Sequence, residues 1–287
     1  MIKYRFNPDE DVQLLDYLYK HVPEAKNKVK GYLSREQILV QDNVVTQFNH
    51  LVNKGETIKV LTKKQDTKAV RHMEILYEDD AIIVINKQAG LLTIATQKNE
   101  VKPTAHRLLS EYLQKQQPHT RIYIVHRLDR DTSGVLVFAK TEQVKKILQE
   151  EWKTRVLERT YQALVEGRVK KDNDTIESYL KETKTYQMYV TQSSKDATYA
   201  KLTYRVTKRF KQETLLDVSL DTGRKNQIRV QLASIGHPIV GDKKYRAHTN
   251  TIKRLGLHAK TLVFNHPLTN ETLTFTSALP TSFLKRP

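Results

Sequence analysis

The run Ile122-Tyr123-Ile124-Val125-His126-Arg127-Leu128-Asp129-Arg130-Asp131-Thr132-Ser133-Gly134-Val135-Leu136-Val137-Phe138 decides how this chain is read. Two apolar, β-prone segments enclose a polar, mostly charged stretch that ends in glycine. The pattern predicts a charged loop held between two strands of a packed sheet. Rigid strands fix such a loop while its side chains stay accessible, which suits catalysis. Asp129 lies between Arg127 and Arg130, with His126 a third cationic candidate close by. Guanidinium neighbours favour an ionised carboxylate, which can act as nucleophile or base rather than as acid. Taken alone, the loop reads as readily as a surface turn with exchangeable ion pairs. Asp131 is expected to hydrogen-bond backbone amides at Ser133 or Gly134 as a turn-maker.

Working outward, Ile75–Lys87 reads as strand, acidic turn (Glu78-Asp79-Asp80) and strand, a hairpin. Residues 103–116 suit an amphipathic helix with Leu108, Leu109, Tyr112 and Leu113 inward. Thr141 is a helix N-cap candidate, and Val144, Ile147, Leu148 and Trp152 continue at helical spacing as core. A strand is expected over Thr160–Val165, with Tyr161 alternating with Ala163 and Val165, and two more strands over 195–220. Ile228, Leu232 and Ile235 share one helical face, ended by Gly236 and Pro238. Strands predominate with helices among them, so the fold class is α+β with a large mixed or antiparallel sheet.

Residues 1–66 read as a small separate unit. Leu14, Leu15 and Leu18 form one helical face, and Val29, Tyr32 and Leu33 a second. Ile38, Val40, Val44-Val45 and Ile58 to Val60 then follow a strand period, with a turn at Asp42-Asn43. A polar linker, Lys63 to Lys68, leads into a larger domain over 67–287.

The formal charge is +17, from 49 basic and 32 acidic residues, which points to a polyanionic partner, nucleic acid first. The first 70 residues, with 12 basic against 9 acidic, carry only +3 of this, so the larger domain carries most of the attraction. There are no cysteines, which excludes disulfides, thiolate catalysis and cysteine metal sites. Histidine spacing matches no metal motif, and no phosphate-cradling glycine loop occurs. With no long apolar run and no signal core, the expectation is a cytoplasmic protein without membrane contact, metal or cofactor.

His126–Gly134 resembles the signature of the RluA family of pseudouridine synthases. Thr222-Gly223-Arg224-Lys225-Asn226-Gln227-Ile228-Arg229, with Gly236–Asp242 after it, resembles that family's third motif, and Arg159–Gly167 its second. Gly90-Leu91-Leu92 and the Leu257–Leu268 region extend the likeness over nearly the whole chain. The first unit is similar to the S-four (alpha-L) RNA-binding domain. Departures are Gln88 for proline, Lys225-Asn226 for Thr-His, and Arg159 for lysine.

The resemblance implies an RNA pseudouridine synthase: a catalytic domain plus a small α/β RNA-binding domain, acting as a monomer, most simply on large-subunit ribosomal RNA. It assigns Asp129 as the essential carboxylate, attacking the anomeric carbon or taking a ribose proton. Arg229 becomes its bidentate charge partner, Tyr161 stacks on the flipped uracil, and Arg127 fills the vacated stack. Arg224 and His126 are expected on RNA, and Lys87 is given no catalytic role. The rivals are a transfer-RNA enzyme, a catalytically inactive RNA-binding or assembly factor, and a hydrolytic nucleosidase using Asp129 with Asp131.

Overall fold

The computed structural model describes residues 2–35, 37–41, 43–62, 72–95 and 103–284. The chain divides into two compact units, Met1–Thr67 and Lys68–Pro287. The Lys63 to Lys68 linker lies outside the described residues, as does Asp42 of the expected turn.

The first unit contains β1 (Ile2–Phe6), β2 (Val12–Gln13), α1 (Leu14–His21), α2 (Lys26–Ser34), β3 (Ile38–Val40), β4 (Asn43–Val44), β5 (Leu51–Val52) and β6 (Ile58–Leu61). β1, β6, β3 and β4 form an antiparallel sheet in that order, and β2 pairs with β5. Leu14 and Leu18 of α1 and Val29, Tyr32 and Leu33 of α2 close over Ile38, Val40, Ile58 and Val60 as one core.

The second unit begins with β7 (Met73–Glu78), β8 (Ile82–Lys87), α3 (Ala105–Gln116), β9 (Tyr123–Ile124) and β10 (Ser133–Ala139). α4 (Glu142–Glu150), α5 (Trp152–Arg155), β11 (Val156–Glu166), β12 (Asn173–Glu182), β13 (Met188–Thr191), β14 (Thr198–Arg209) and β15 (Glu213–Leu220) follow. The chain ends with α6 (Gln227–Ser234), β16 (Leu257–Asn265) and β17 (Thr272–Thr276). Its 11-stranded sheet runs β13-β12-β14-β15-β11-β16-β10-β8-β7, with β17 on β16 and β9 on β10. All named pairings are antiparallel except β10 with β16, so the sheet is mixed. The α+β class expected from the sequence is the one adopted.

Local chemistry explains the elements. Thr104 and Thr141 cap α3 and α4 through hydroxyls that accept from the N–H of Arg107 and Val144. β10 is buried along its whole length, as its unbroken apolar run requires. Gly134 sits at φ +114° where β10 meets β16, and a Cβ there would lie 2.0 Å from the Ala259 carbonyl oxygen. Trp152 packs against the core that Val144 and Leu148 enter, as expected, although α4 ends at Glu150 and the half-buried indole opens α5, tilted against His126. One expectation needs correction. Ile235 is 40% exposed, because α6 stops at Ser234 and buries Ile228, Val230 and Leu232 instead.

Candidate active site

The β9–β10 loop is pinned on both sides of Asp129. The Thr93 hydroxyl donates to the Leu128 carbonyl (2.8 Å) and accepts its N–H (3.2 Å), while the Leu128 side chain is buried. The Arg130 carbonyl accepts from the Lys87 ammonium (3.0 Å) and from the Gly90 N–H (2.9 Å). Lys87 is fully buried and also donates to the carbonyls of Leu91 and Gln88. Burial pushes its pKa down to about 7, against the pull of Asp131 and Asp129. Its place is structural: it fixes the backbone next to Asp129.

Asp129 is 29% exposed and meets Arg229 across a hundred residues of sequence, with Arg229 Nη1 to Asp129 Oδ2 at 2.9 Å. The bidentate geometry goes elsewhere. Arg229 Nε and Nη2 both donate to Asp242, at 2.7 and 2.8 Å, and that carboxylate is only 1% exposed. Burial alone would lower the Arg229 pKa. The bonds and charge of Asp242, then of Asp129, outweigh this and raise it above the usual arginine range. The guanidinium also lies 5.1 Å over the Tyr245 ring. Asp242 is therefore the residue that seats Arg229, leaving Nη1 to face Asp129.

A second donor reaches the same oxygen: Asn226 Nδ2 lies 2.6 Å from Asp129 Oδ2. Asn226 precedes α6, whose placement comes from buried glutamines. Gln227 donates to the Lys201 carbonyl and accepts from Thr222 and from the Arg224 N–H. Gln231 Nε2 reaches Ile176 O, Ser178 Oγ and Ala200 O on β12 and β14.

A small cavity of about 70 Å³ brings together Arg127, Asp129, Tyr161, Arg224, Asn226 and Arg229. Tyr161 is partly buried on β11, and burial raises its hydroxyl pKa, with Arg159 acting against the shift. Arg127 is exposed, and Arg224 is exposed but tethered through Nε to the Tyr199 carbonyl. A larger cleft of about 600 Å³, within the range of small-molecule sites, shares Asp129, Asn226 and Arg229 with it and adds Asp242. It is rimmed by Arg130, Lys225, Lys244 and Arg254. Burial, then the charges of Arg229 and Lys225, lowers the Lys244 pKa.

His126 does not join this group as a cation. Its Nε2 accepts the Val137 N–H at 3.2 Å and its ring packs 4.8 Å from Trp152. Burial, with Arg159 nearby, pushes its pKa down to about 3, so it is a neutral structural ring. Asp131 is not a backbone turn-maker: it takes both of its contacts, at 3.2 Å, from the Arg130 guanidinium. Asp242, Asn226 and Tyr245 were missed in the sequence, where nothing local marks a buried carboxylate or a side chain turned toward a distant loop. Among the described residues no group of three or more His, Cys, Asp or Glu is placed to hold a metal. No helix there is long and apolar enough to cross a membrane.

With the geometry in place, four of the chain's matches to known proteins are informative. A family model described as RNA pseudouridylate synthase matches residues 81–234, more than half of the chain. A Bacillus subtilis protein named RNA pseudouridine synthase YhcT is 31% identical over 96% of this chain and 92% of its own length. The ribosomal large subunit pseudouridine synthase D of Nitrosomonas europaea is 34% identical over 89% of this chain and 77% of its own. Among solved structures, human RNA pseudouridylate synthase domain containing 4 superimposes with TM-score 0.61 at 25% identity, over 76% of this chain and 92% of the human one.

Proposed function

This chain belongs to the RluA family of RNA pseudouridylate synthases, and we propose that it modifies large-subunit ribosomal RNA through Asp129. It is an isomerase that converts uridine in RNA to pseudouridine. The target nucleotide leaves the RNA stack and enters the Asp129 cleft, at a cost on the order of a few kcal/mol. Arg127 takes its place in the stack. Tyr161 offers a flat face to the base, a contact worth about 1–3 kcal/mol.

Asp129 then attacks the anomeric carbon or takes the neighbouring ribose proton. The bond from uracil nitrogen to C1′ breaks, and uracil leaves as a resonance-stabilised anion, so no second carboxylic acid is required. The base turns and its C5 bonds to C1′ as the Asp129 carboxylate leaves C1′ or, on the other route, returns the ribose proton. C5 then loses its proton while the freed N1 gains one, so the atoms balance and nothing is released. Arg229 pairs with the carboxylate and aims it, and Arg224 meets a phosphate. One chain supplies every group in this scheme, which favours a monomer, acting in the cytoplasm on ribosomal RNA.

The observation that carries the reading is the convergence on one cavity of Arg127 and Asp129 from the β9–β10 loop, Tyr161 from β11 and Arg229 from α6, three separate segments. Support for the ribosomal target comes from the name of the Nitrosomonas relative, from the charge of +17 and from the S-four-like first unit. The test is to treat transcribed large-subunit ribosomal RNA and bulk transfer RNA with purified protein and to map pseudouridines. New pseudouridine in the ribosomal transcript alone supports the proposal. Modification confined to transfer RNA overturns the target, and release of free uracil overturns the chemistry.

A further inference from the structure

Asn226 stands out from its neighbours in two respects. Its backbone is left-handed (φ 53°, ψ 23°), which is uncommon for a non-glycine residue. It also occupies the N-cap of α6, where an asparagine normally accepts from the first turn, yet its side chain makes no capping bond. Gln227 Oε1 ties down the preceding turn instead, by accepting the Arg224 N–H and the Thr222 hydroxyl. The Asn226 amide is thereby released from local duty and reaches Asp129.

Its orientation is set by the groups behind it. The Asn226 Oδ1 atom accepts from the Tyr245 hydroxyl at 3.2 Å and from the Lys244 ammonium at 3.5 Å. An amide has one accepting end and one donating end. With the carbonyl end held by two donors, the NH₂ end is the one that meets Asp129 Oδ2, at 2.6 Å. A reversed amide would set oxygen against carboxylate oxygen and leave the Tyr245 hydroxyl facing an NH₂ group. Arg229 meets the carboxylate through Nη1 alone, because its Nε and Nη2 edge is turned to Asp242. One bond leaves the carboxylate plane free to rotate, whereas two donors on Oδ2 hold that plane. Among the described residues no hydrogen bond falls on Oδ1.

We propose that Asn226 is a positioning residue for Asp129, oriented by Tyr245, and that together with Arg229 it makes Oδ1 the oxygen that meets the nucleotide. The proposal rests on the reading of Asp129 as the catalytic carboxylate. It also gives a physical use to a position where the chain departs from the Thr-His of its family resemblance.

The experiment compares the full-length wild type, Asn226→Ala, Asn226→Asp, Tyr245→Phe and the Asn226→Ala/Tyr245→Phe double variant. It measures kcat and KM on the RNA transcript, RNA affinity by anisotropy, and melting temperature. Asn226→Ala is expected to lower kcat about tenfold, with KM and RNA affinity within about twofold. Asn226→Asp should fall lower still, because a like charge replaces the donor beside Asp129. Tyr245→Phe keeps the ring under Arg229, should cost about threefold in the wild-type background, and should cost nothing further once Asn226 is alanine. An Asn226→Ala enzyme within about twofold of wild-type kcat, or a Tyr245→Phe loss that persists undiminished in the double variant, overturns the proposal. If either Asn226 variant melts early, Tyr245→Phe with its intact asparagine decides the matter: kcat equal to wild type overturns the orientation. A wild type that forms no pseudouridine overturns the functional reading itself, before any variant is compared.

Discussion

Removing the Asp242 carboxylate should separate stability from chemistry. Asp242 is 1% exposed and takes two N–H groups of Arg229, at 2.7 and 2.8 Å, whereas Asp129 is 29% exposed and takes one at 2.9 Å. Asp242→Ala leaves a guanidinium that is itself 14% exposed with a single, partly solvated anionic partner. Deleting one member of a buried pair costs about 3–5 kcal/mol, and the surviving Asp129 contact puts this case near about 3 kcal/mol. Asp129→Ala breaks a more exposed contact while Asp242 still holds the arginine, so about 1 kcal/mol is expected. For a unit of this size those losses correspond to melting temperatures lower by about 6–12 °C and about 2–4 °C. Trp152, the single tryptophan, lies in the second unit and reports its unfolding in urea. Asp242→Ala should unfold early yet keep some activity, and Asp129→Ala should stay folded with none. Arg229→Met with Asp242→Leu should regain stability without activity, since an apolar pair can replace a buried ion pair. Equal urea midpoints for Asp242→Ala and Asp129→Ala would refute the reasoning.

Further expectations follow from single contacts. Gly134→Ala must push a Cβ 2.0 Å from the Ala259 carbonyl at φ +114°, so urea melts should show a loss of at least about 3 kcal/mol, and a loss under about 1 kcal/mol would contradict the β10–β16 approach. His126 and His258 are held neutral, at about 3 and about 4, against an ordinary 6.5. Below about pH 6.5 the unfolded chain binds protons that these folded rings refuse. Stability therefore falls with falling pH, by up to about 1.4 kcal/mol per pH unit per ring until each folded pKa is reached. His126→Phe should flatten that slope in urea midpoints taken between pH 7 and 4.5, and an unchanged slope would show that the ring does not resist protonation. Tyr161→Leu should lower kcat/KM about 10- to 100-fold through lost stacking, and wild-type turnover would remove Tyr161 from the site.

The legible parts of the chain are those whose signal is local. The alternation through Tyr161, Ala163 and Val165, the threonine caps at 104 and 141, and the apolar run of β10 need only neighbours in sequence to be read. β12 escaped because Asn173–Glu182 alternates partly buried with exposed polar residues near the sheet's edge, where little burial is required. His126 looked cationic because the Trp152 ring and the Val137 N–H that hold it neutral come from other elements. The motifs mark Asp129 and Arg229 separately. That a second carboxylate, Asp242, takes the fork of the arginine, and that Asn226 turns to Asp129, depends on where α6 and the turn after it land against the β9–β10 loop.

The proposed role of the Asp129 carboxylate in the isomerisation is tested most directly by removing its charge alone. Asp129→Asn is nearly isosteric and leaves Arg229 seated on Asp242, so fold and RNA affinity should hold while the nucleophilic or basic charge disappears. Counted after exhaustive incubation of the variant with the RNA transcript, pseudouridine should stay at background while wild type converts its target fully. An Asp129→Asn protein that modifies the same uridine at an undiminished rate would contradict the account.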